Sequence, residues 1–286
     1  HDHPVERVLR PTPDGEPVML TARTIARETL SFDEMPEPAL TPGHALVEIH
    51  AVSLCGTDLH IFEDDFPTDL PIVQGHEMAG IVRDADAASG LTVGDRVAID
   101  PVVACGTCRA CRIGRSNVCQ NLSVLGCYED GGFVEVLSVP VDRLYPVPDD
   151  LPLEVAAVGE PASISLQAVN RAEPAAGETA LVLGCGPIGL LATLGLSERG
   201  VTVVAADTDP DRVALAATFG AAHAFTVGSE FPDAGQRAML DELTEGAGPE
   251  IIIEDTGVPA SLENAVRLVA PAGRIVQVGI SSRLAG

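Results

Sequence analysis

From Thr179 onward the chain alternates apolar runs with amphipathic ones, and this alternation restricts the possible fold more than any other feature. "TALVLG", "VTVVAAD", "AHAFTV", "EIIIEDTG" and "GRIVQVGI" read as strands. Between them, "PIGLLATLGLSERG", "DPDRVALAATFG" and "SLENAVRLVA" carry apolar residues at helical spacing. Strands that are apolar along their whole length need cover on both faces, and a parallel sheet with helices on each side supplies it. The expectation is therefore α/β, a doubly wound parallel sheet. The common dinucleotide-binding sheet has six strands in the order 3-2-1-4-5-6. Five are legible before the closing "SSRLAG", so a sheet cut short after its fifth strand is expected.

The turn after the first of these strands carries the chemistry. In "LVLGCGPIGLL", Gly184, Gly186 and Gly189 form G-x-G-x-x-G between a strand and a helix, and Asp207 ends the next strand. Gly184 permits a tight turn, Gly186 lets backbone approach a pyrophosphate, and Gly189 allows close helix packing. Pro187 and Ile188 open the helix whose N-terminus would hold the phosphates. A carboxylate at Asp207 can accept both adenosine ribose hydroxyls and repels a 2′-phosphate, which favours NAD over NADP. Arg212, five residues on, tempers that preference or forms a surface ion pair. Cys185, between two glycines, reads as a small buried side chain.

The first part of the chain has a different texture. "VMLTARTI", "ETLSFDEM", "HALVEIHAVSL", "MAGIVRDA" and "DRVAID" read as short strands separated by Pro and Gly turns, as in a small β-barrel or sandwich. From about Leu151, "LPLEVAAVGEPASISLQAVNRA" turns helical. Two domains are expected, residues 1–160 and residues 161–286, the second carrying the nucleotide site.

Four of the seven cysteines, Cys105, Cys108, Cys111 and Cys119, follow C-x₂-C-x₂-C-x₇-C. Four thiolates suit a tetrahedral zinc and leave no open position, so such a site is structural. Iron–sulfur ligation is the alternative, although its usual short spacing ends C-x₃-C-Pro. Cys55, in "SLCGTDLH", stands with His76 and Glu77, in "QGHEMAG", as a donor set that keeps a position open, as a catalytic zinc requires. Glu160, in "VGEPAS", offers a further oxygen. Cys127 reads as a core thiol near the zinc lobe, and Asp64, Asp65 and Asp69 as a solvated acidic loop or the lining of a polar pocket. His1 and His3 read as unstructured end residues.

A net charge of −25 excludes nucleic acid and anionic membranes as principal partners, since both demand a basic surface. All 17 basic residues are Arg, and the chain has no Lys. This composition fits a high-salt cytoplasm or a genome preferring Arg codons. No stretch approaches the ~20 apolar residues of a membrane span, and "HDHPVERVLRPTPDGEP" has no signal-peptide core, so cytoplasmic residence is expected.

Taken in order, "CGTDLH", "GHEMAGIV", "GDRVAIDPVVACGTCRACRIGRSNVC", "GGFVEVLSVP", "GEPASISLQAV" and "VLGCGPIGLL" resemble the zinc-dependent medium-chain dehydrogenases, particularly their polyol, sugar and threonine dehydrogenase branch. The resemblance implies a GroES-like β-barrel catalytic domain followed by a Rossmann domain. It further implies two zinc ions per chain, one catalytic and one structural, with NAD as cofactor. Cys55 and His76 match the constant catalytic zinc ligands, and Glu77 matches a carboxylate that binds the metal or stands behind it. Glu160 matches a position that contacts the metal directly or through water. Thr57 matches the hydroxyl that takes the substrate's proton, and His60 the histidine that passes it on through the cofactor ribose. A small-molecule alcohol or polyol substrate and a homo-oligomer, dimer or tetramer, are implied. The reaction would carry hydride from a secondary alcohol of a polyol, sugar or sugar acid, or of threonine, to NAD. The competing reading is a catalytically silent zinc- and nucleotide-binding scaffold or a truncated fragment. A zinc-independent quinone reductase is disfavoured by the intact ligand set and Asp207.

Overall fold

The computed structural model describes residues 17–280, so His1, His3 and the final "SSRLAG" lie outside it. The chain divides into two compact units between Glu160 and Pro161.

The first unit is built from β-strands. An antiparallel hairpin, β1 (Val18–Ala26) and β2 (Thr29–Pro36), precedes β3 (His44–Ser53). Helix α1 (Gly56–Phe62) follows, then β4 (Glu77–Ala85), β5 (Arg96–Ile99) and β6 (Val102–Val103). After α2 (Arg109–Arg112) come β7 (Ser123–Val124), β8 (Val136–Pro140), β9 (Leu144–Pro146) and α3 (Leu153–Ala157). Five of these strands form an antiparallel sheet in the order β8-β3-β4-β5-β9. Bridges from Thr21 to Val134 and from Thr24 to Ile72 tie the hairpin into it. Ala45, Val47, Met78, Val82, Val97, Ile99, Leu137 and Val139 form the core. Helix α3 adds Leu153, Ala156 and Ala157 against Ala79 and Val147. The pairing of β3 and β4 places Ser53 opposite Glu77, and α1 departs from the end of β3, so the strand ends bring Cys55 and Glu77 to one region.

The second unit alternates strand and helix. After α4 (Gly159–Ala172) come β10 (Thr179–Leu183), α5 (Pro187–Ser197), β11 (Thr202–Asp207), α6 (Pro210–Ala216) and β12 (His223–Thr226). Then follow α7 (Ala234–Leu243), β13 (Ile251–Glu254), α8 (Pro259–Leu268) and β14 (Arg274–Gln277). All strand pairs are parallel and the order is β12-β11-β10-β13-β14, the 3-2-1-4-5 portion of the doubly wound arrangement. Successive residues of β10 face opposite sides. Ala180 and Val182 pack with Ala168, Val169, Ala192 and Leu196, while Leu181 and Leu183 pack with Leu240, Ala265 and Leu268. This two-sided burial is why each strand is apolar without alternation, and it contributes about 1.5–3 kcal/mol for each large side chain.

Local readings differ from the sequence expectations in three places. The run from Leu151 to Ala172 is not one helix: α3 and α4 are separated at Val158. Helix α6 tightens to a 3₁₀ turn at Ala217–Phe219, and Gly220 ends it at φ +91°. Helix α7 was not anticipated, although Asp233 and Gln236 form a reciprocal capping box at its start. Among the described residues no helix is long and apolar enough to cross a membrane.

Candidate active site and nucleotide site

Cys55 caps α1, His76 precedes β4 and Glu77 opens it, and the ligand atoms of the three residues lie within 4.8 Å of one another. His76 and Glu77 are each 6% exposed, whereas Cys55 is half-buried. Thiolate, imidazole and carboxylate together are donors that zinc accepts, and three of them leave a fourth position for a water or a substrate oxygen.

The surrounding residues hold this set in place. Asp58, in the first turn of α1, accepts the Cys55 backbone N–H at 2.9 Å and the Gly75 N–H at 3.3 Å, and its Oδ1 lies 3.7 Å from His76 Nδ1. The Ser53 hydroxyl donates to Glu77 Oε2. Gly75 has φ +94°, and a Cβ there would meet Phe133 and Val52 at 2.9 Å, so a glycine is required immediately before His76. Burial opposes a charge on His76. The Asp58 carboxylate, with Cys127 and Cys55, outweighs burial and raises its proton affinity well above that of an ordinary imidazole. Cys127 is buried, as expected of a core thiol, but its Sγ lies 3.8 Å from His76 Nδ1 rather than in the cysteine-rich lobe.

Glu160, in the first turn of α4, is not among the three clustered donors. It is close enough to feel their charge: burial pushes its carboxyl up to about 7, His76 lowers it, and Glu77 and Asp100 raise it. Thr57 and His60 lie three residues apart on α1, hence on one helical face. His60 Nδ1 is 2.8 Å from Asp65 Oδ1. A carboxylate only accepts, so Nδ1 is the donor and Nε2 is left with the lone pair. This contact follows from how α1 ends: Glu63 caps it, Asp64 adopts φ +58°, and the Asp65 N–H returns to the His60 carbonyl at 3.0 Å. Of the acidic loop Asp64, Asp65 and Asp69, Asp65 thus acquires a defined partner.

The ligand atoms of Cys105, Cys108, Cys111 and Cys119 also lie within 4.8 Å of one another, and none of the seven cysteines is in a disulfide. Their sulfurs are 3.4 Å apart for Cys105 and Cys119, 3.5 Å for Cys108 and Cys111, and 3.9 Å for Cys108 and Cys119. Tetrahedral zinc thiolates require about 3.8 Å. Backbone N–H groups of Cys105, Cys108, Cys111 and Asn121 point at the sulfurs. The Thr107 hydroxyl and neighbouring N–H groups pull Cys105 down to about 5, while burial and the adjacent thiols push Cys111 up to about 12. Four such groups ionise together only around a cation, so the donor set fits zinc.

In the second unit, Gly184 has φ +107° directly after β10, and Gly186 caps α5. A Cβ on Gly189 would sit 2.0 Å from the Gly184 carbonyl oxygen, so the helix and turn could not pack so closely with any other residue. Asp207, at the end of β11, accepts the Cys185 N–H at 2.7 Å and the Asp209 N–H at 2.9 Å. Gly184, Gly186, Asp207 and Arg212 line one cavity of about 420 Å³, which also takes in Phe231 and Asp255. Arg212 additionally pairs with Asp209 at 3.7 Å. Pro187 and Ile188 form the first turn of α5 and do not line that cavity. Cys185 is buried against Leu190, Ala205 and Ala216. Sequence reasoning missed Asp255, whose carboxylate accepts the Gly189 N–H at 3.0 Å. The only hint of it was an acid at the end of an otherwise apolar strand.

Comparison with known proteins shows the family. Residues 41–149 match the alcohol dehydrogenase GroES-like domain, and residues 187–285 match the zinc-binding dehydrogenase family. The chain is 40% identical over 249 residues to L-galactonate-5-dehydrogenase of Escherichia coli K12, covering 86% of this chain and 71% of that protein. It is 33% identical over 273 residues to sorbitol dehydrogenase of Bacillus subtilis 168, covering 93% and 75% respectively. Among solved structures, an alcohol dehydrogenase of Escherichia coli CFT073 in complex with NADH superposes with a TM-score of 0.85 at 34% identity, over 94% of this chain and 78% of that one.

Proposed function

The chain belongs to the zinc-dependent medium-chain dehydrogenases, and from that premise we propose that it oxidises a secondary alcohol of a polyol, sugar or sugar acid with NAD as the acceptor. The convergence of Cys55, His76 and Glu77 within 4.8 Å carries this reading, because three donors leave a fourth position of a tetrahedral zinc for substrate. Held there, zinc would acidify an alcohol hydroxyl, and the nicotinamide would take the hydride from its carbon.

The protein's own groups supply the rest. Asp58 and Ser53 orient His76 and Glu77 from behind. The Thr57 hydroxyl would receive the alcohol proton, and His60, one helical turn along with Nε2 free, would pass it on through the cofactor ribose. Asp65 keeps His60 in the tautomer that leaves Nε2 available. Glu160, with its carboxyl near neutrality, is a charge reserve beside the metal ligands. In the second unit Asp207 supports NAD over NADP, since a 2′-phosphate beside this carboxylate would be repelled. The substrate class rests on the likeness to relatives that act on sugar acids and polyols.

The test is a cofactor-reduction screen over aldonates, hexitols, phosphorylated hexitols and L-threonine, with NAD and NADP, alongside zinc quantification on the same sample. About two zinc ions per chain and NADH formation with a polyhydroxy substrate are expected. Zinc and NAD binding without alcohol-dependent NADH formation from any of them would instead establish a silent scaffold. A large preference for NADP would remove the role given to Asp207.

A further inference from the structure

The carboxylate of Asp255 lies against the turn that would hold a cofactor's phosphates. Its backbone N–H bonds the Leu183 carbonyl at 2.8 Å, which fixes it at the carboxyl end of the sheet beside β10. Its Oδ2 accepts the Gly189 N–H at 3.0 Å. The same oxygen lies 3.4 Å from where a Cβ of Gly189 would stand and 3.9 Å from that of Gly186. A carboxyl oxygen thus already occupies one of the N–H groups at the start of α5, on the wall of the cavity that Gly184, Gly186 and Asp207 also line.

We infer that Asp255 takes up a proton when a dinucleotide binds, so that cofactor affinity falls as pH rises above neutrality. This rests on the reading of the cavity as the nucleotide site. The charged and titratable neighbours leave little alternative means of neutralisation. Glu254 on β13 is wholly buried, and Asp207 on β11 adds a second carboxylate. The Cys185 thiol in the turn is pushed up to about 12, by burial first and then by Asp207 and Asp255. Arg212 of α6 lines the cavity but is shared with Asp209.

Burial pushes the Asp255 carboxyl up to about 7; the Gly189 N–H lowers it, and Glu254 and Asp207 raise it. Near neutrality the carboxyl is therefore present in both protonation states before a ligand arrives. A diphosphate brings about two further negative charges beside a partly buried carboxyl, where like charges repel more strongly than in open water. Its arrival raises the proton affinity of Asp255 further. Between the free and bound values binding consumes up to one proton, and the association constant drops by up to about tenfold per pH unit. At low pH the group is protonated in both states and the dependence vanishes.

The probe is ADP-ribose, which has the diphosphate and both riboses but no nicotinamide charge. It is titrated calorimetrically into the zinc-loaded chain from pH 6 to 9, in two buffers of different ionisation enthalpy. We expect about half to one proton taken up between pH 7 and 8, and affinity declining from neutrality upward. Asp255→Asn keeps an acceptor for the Gly189 N–H and removes the charge. It should bind without this uptake, with a flat pH profile and at least several-fold more tightly at pH 8.5. Should the Asn variant fail to fold by thermal melt, Asp255→Ser gives the same comparison. Wild-type binding without proton uptake, uptake that persists in the variants, or an Asp255→Asn affinity at pH 8.5 no tighter than that of the wild type each overturns the role of Asp255 and leaves the nucleotide site standing. Absence of ADP-ribose binding at every pH overturns both.

Discussion

At the scale of single residues, the proposed site separates ligands from the groups that aim them. Replacing Cys55 with Ser exchanges a soft thiolate for a weakly acidic hydroxyl while the α1 cap geometry survives. The metal content of Cys55→Ser should drop from about two zinc ions per chain to one, with turnover down at least ~100-fold and circular dichroism unchanged. Retention of both ions would show that Cys55 is not a ligand. His60 allows a finer test, because its partner can be altered in two steps. In Asp65→Asn an acceptor for Nδ1–H remains and the charge is gone; in Asp65→Ala both are gone. We expect kcat to fall about threefold for Asn and about tenfold for Ala, with KM nearly constant, since proton-transfer groups typically contribute 10²–10⁴ and only part of that depends on orientation. Equal losses in both variants would indicate that the tautomer is not what matters. Asp65 shows where sequence reasoning stops: the acidic loop was visible, but the left-handed turn at Asp64 that folds it back onto His60 was not. Asp58, Cys127 and Asp255 were hidden for the same reason, since each owes its place to strands and turns distant in sequence.

Secondary-structure elements were more legible where one physical rule dominates. Strands β10, β11 and β13 announce themselves because both faces are covered, and the G-x-G-x-x-G turn because only glycine fits at Gly189. Helix α7 escaped because it is poor in apolar residues, with Leu240 alone buried, and its capping box is its clearest mark. The two-residue strands β6 and β7 escaped because two residues are too few to show any side-chain alternation. That lobe is an element without a core: α2 spans four residues, none of them buried. Its order should therefore depend on the metal, as in small zinc modules that unfold without it. Cys108→Ser is expected to release one zinc ion and open residues 105–119 to limited proteolysis by trypsin, which can cut after Arg109, Arg112 and Arg115. The nucleotide-binding unit should still protect itself in the same digest. An unchanged digestion pattern would mean that backbone contacts alone hold the lobe.

For the molecule as a whole, charge is the feature that neither fold nor site accounts for. The sequence has 42 acidic residues against 17 basic ones, giving −25. Ion pairs engage many of the arginines, including Arg23 with Asp33, Arg83 with Glu37 and Arg274 with Glu178. That pairing leaves the surplus of carboxylates to repel one another. Over a molecule of this size the repulsion acts at separations near the Debye length, about 10 Å in 0.1 M salt and about 3 Å in 1 M. Folding gathers these charges closer than the extended chain does, so added salt should stabilise the folded state. Screening saturates, whereas preferential exclusion of a salting-out ion grows steadily with concentration. We therefore expect the melting temperature in KCl to rise steeply between 0.05 and 0.5 M, by several degrees, and then level off. A linear rise that begins only above about 1 M and is larger in potassium sulfate would assign the effect to salting out. A flat profile would show that the acidic excess imposes no folding cost, and that the absence of Lys reflects codon usage rather than adaptation to salt.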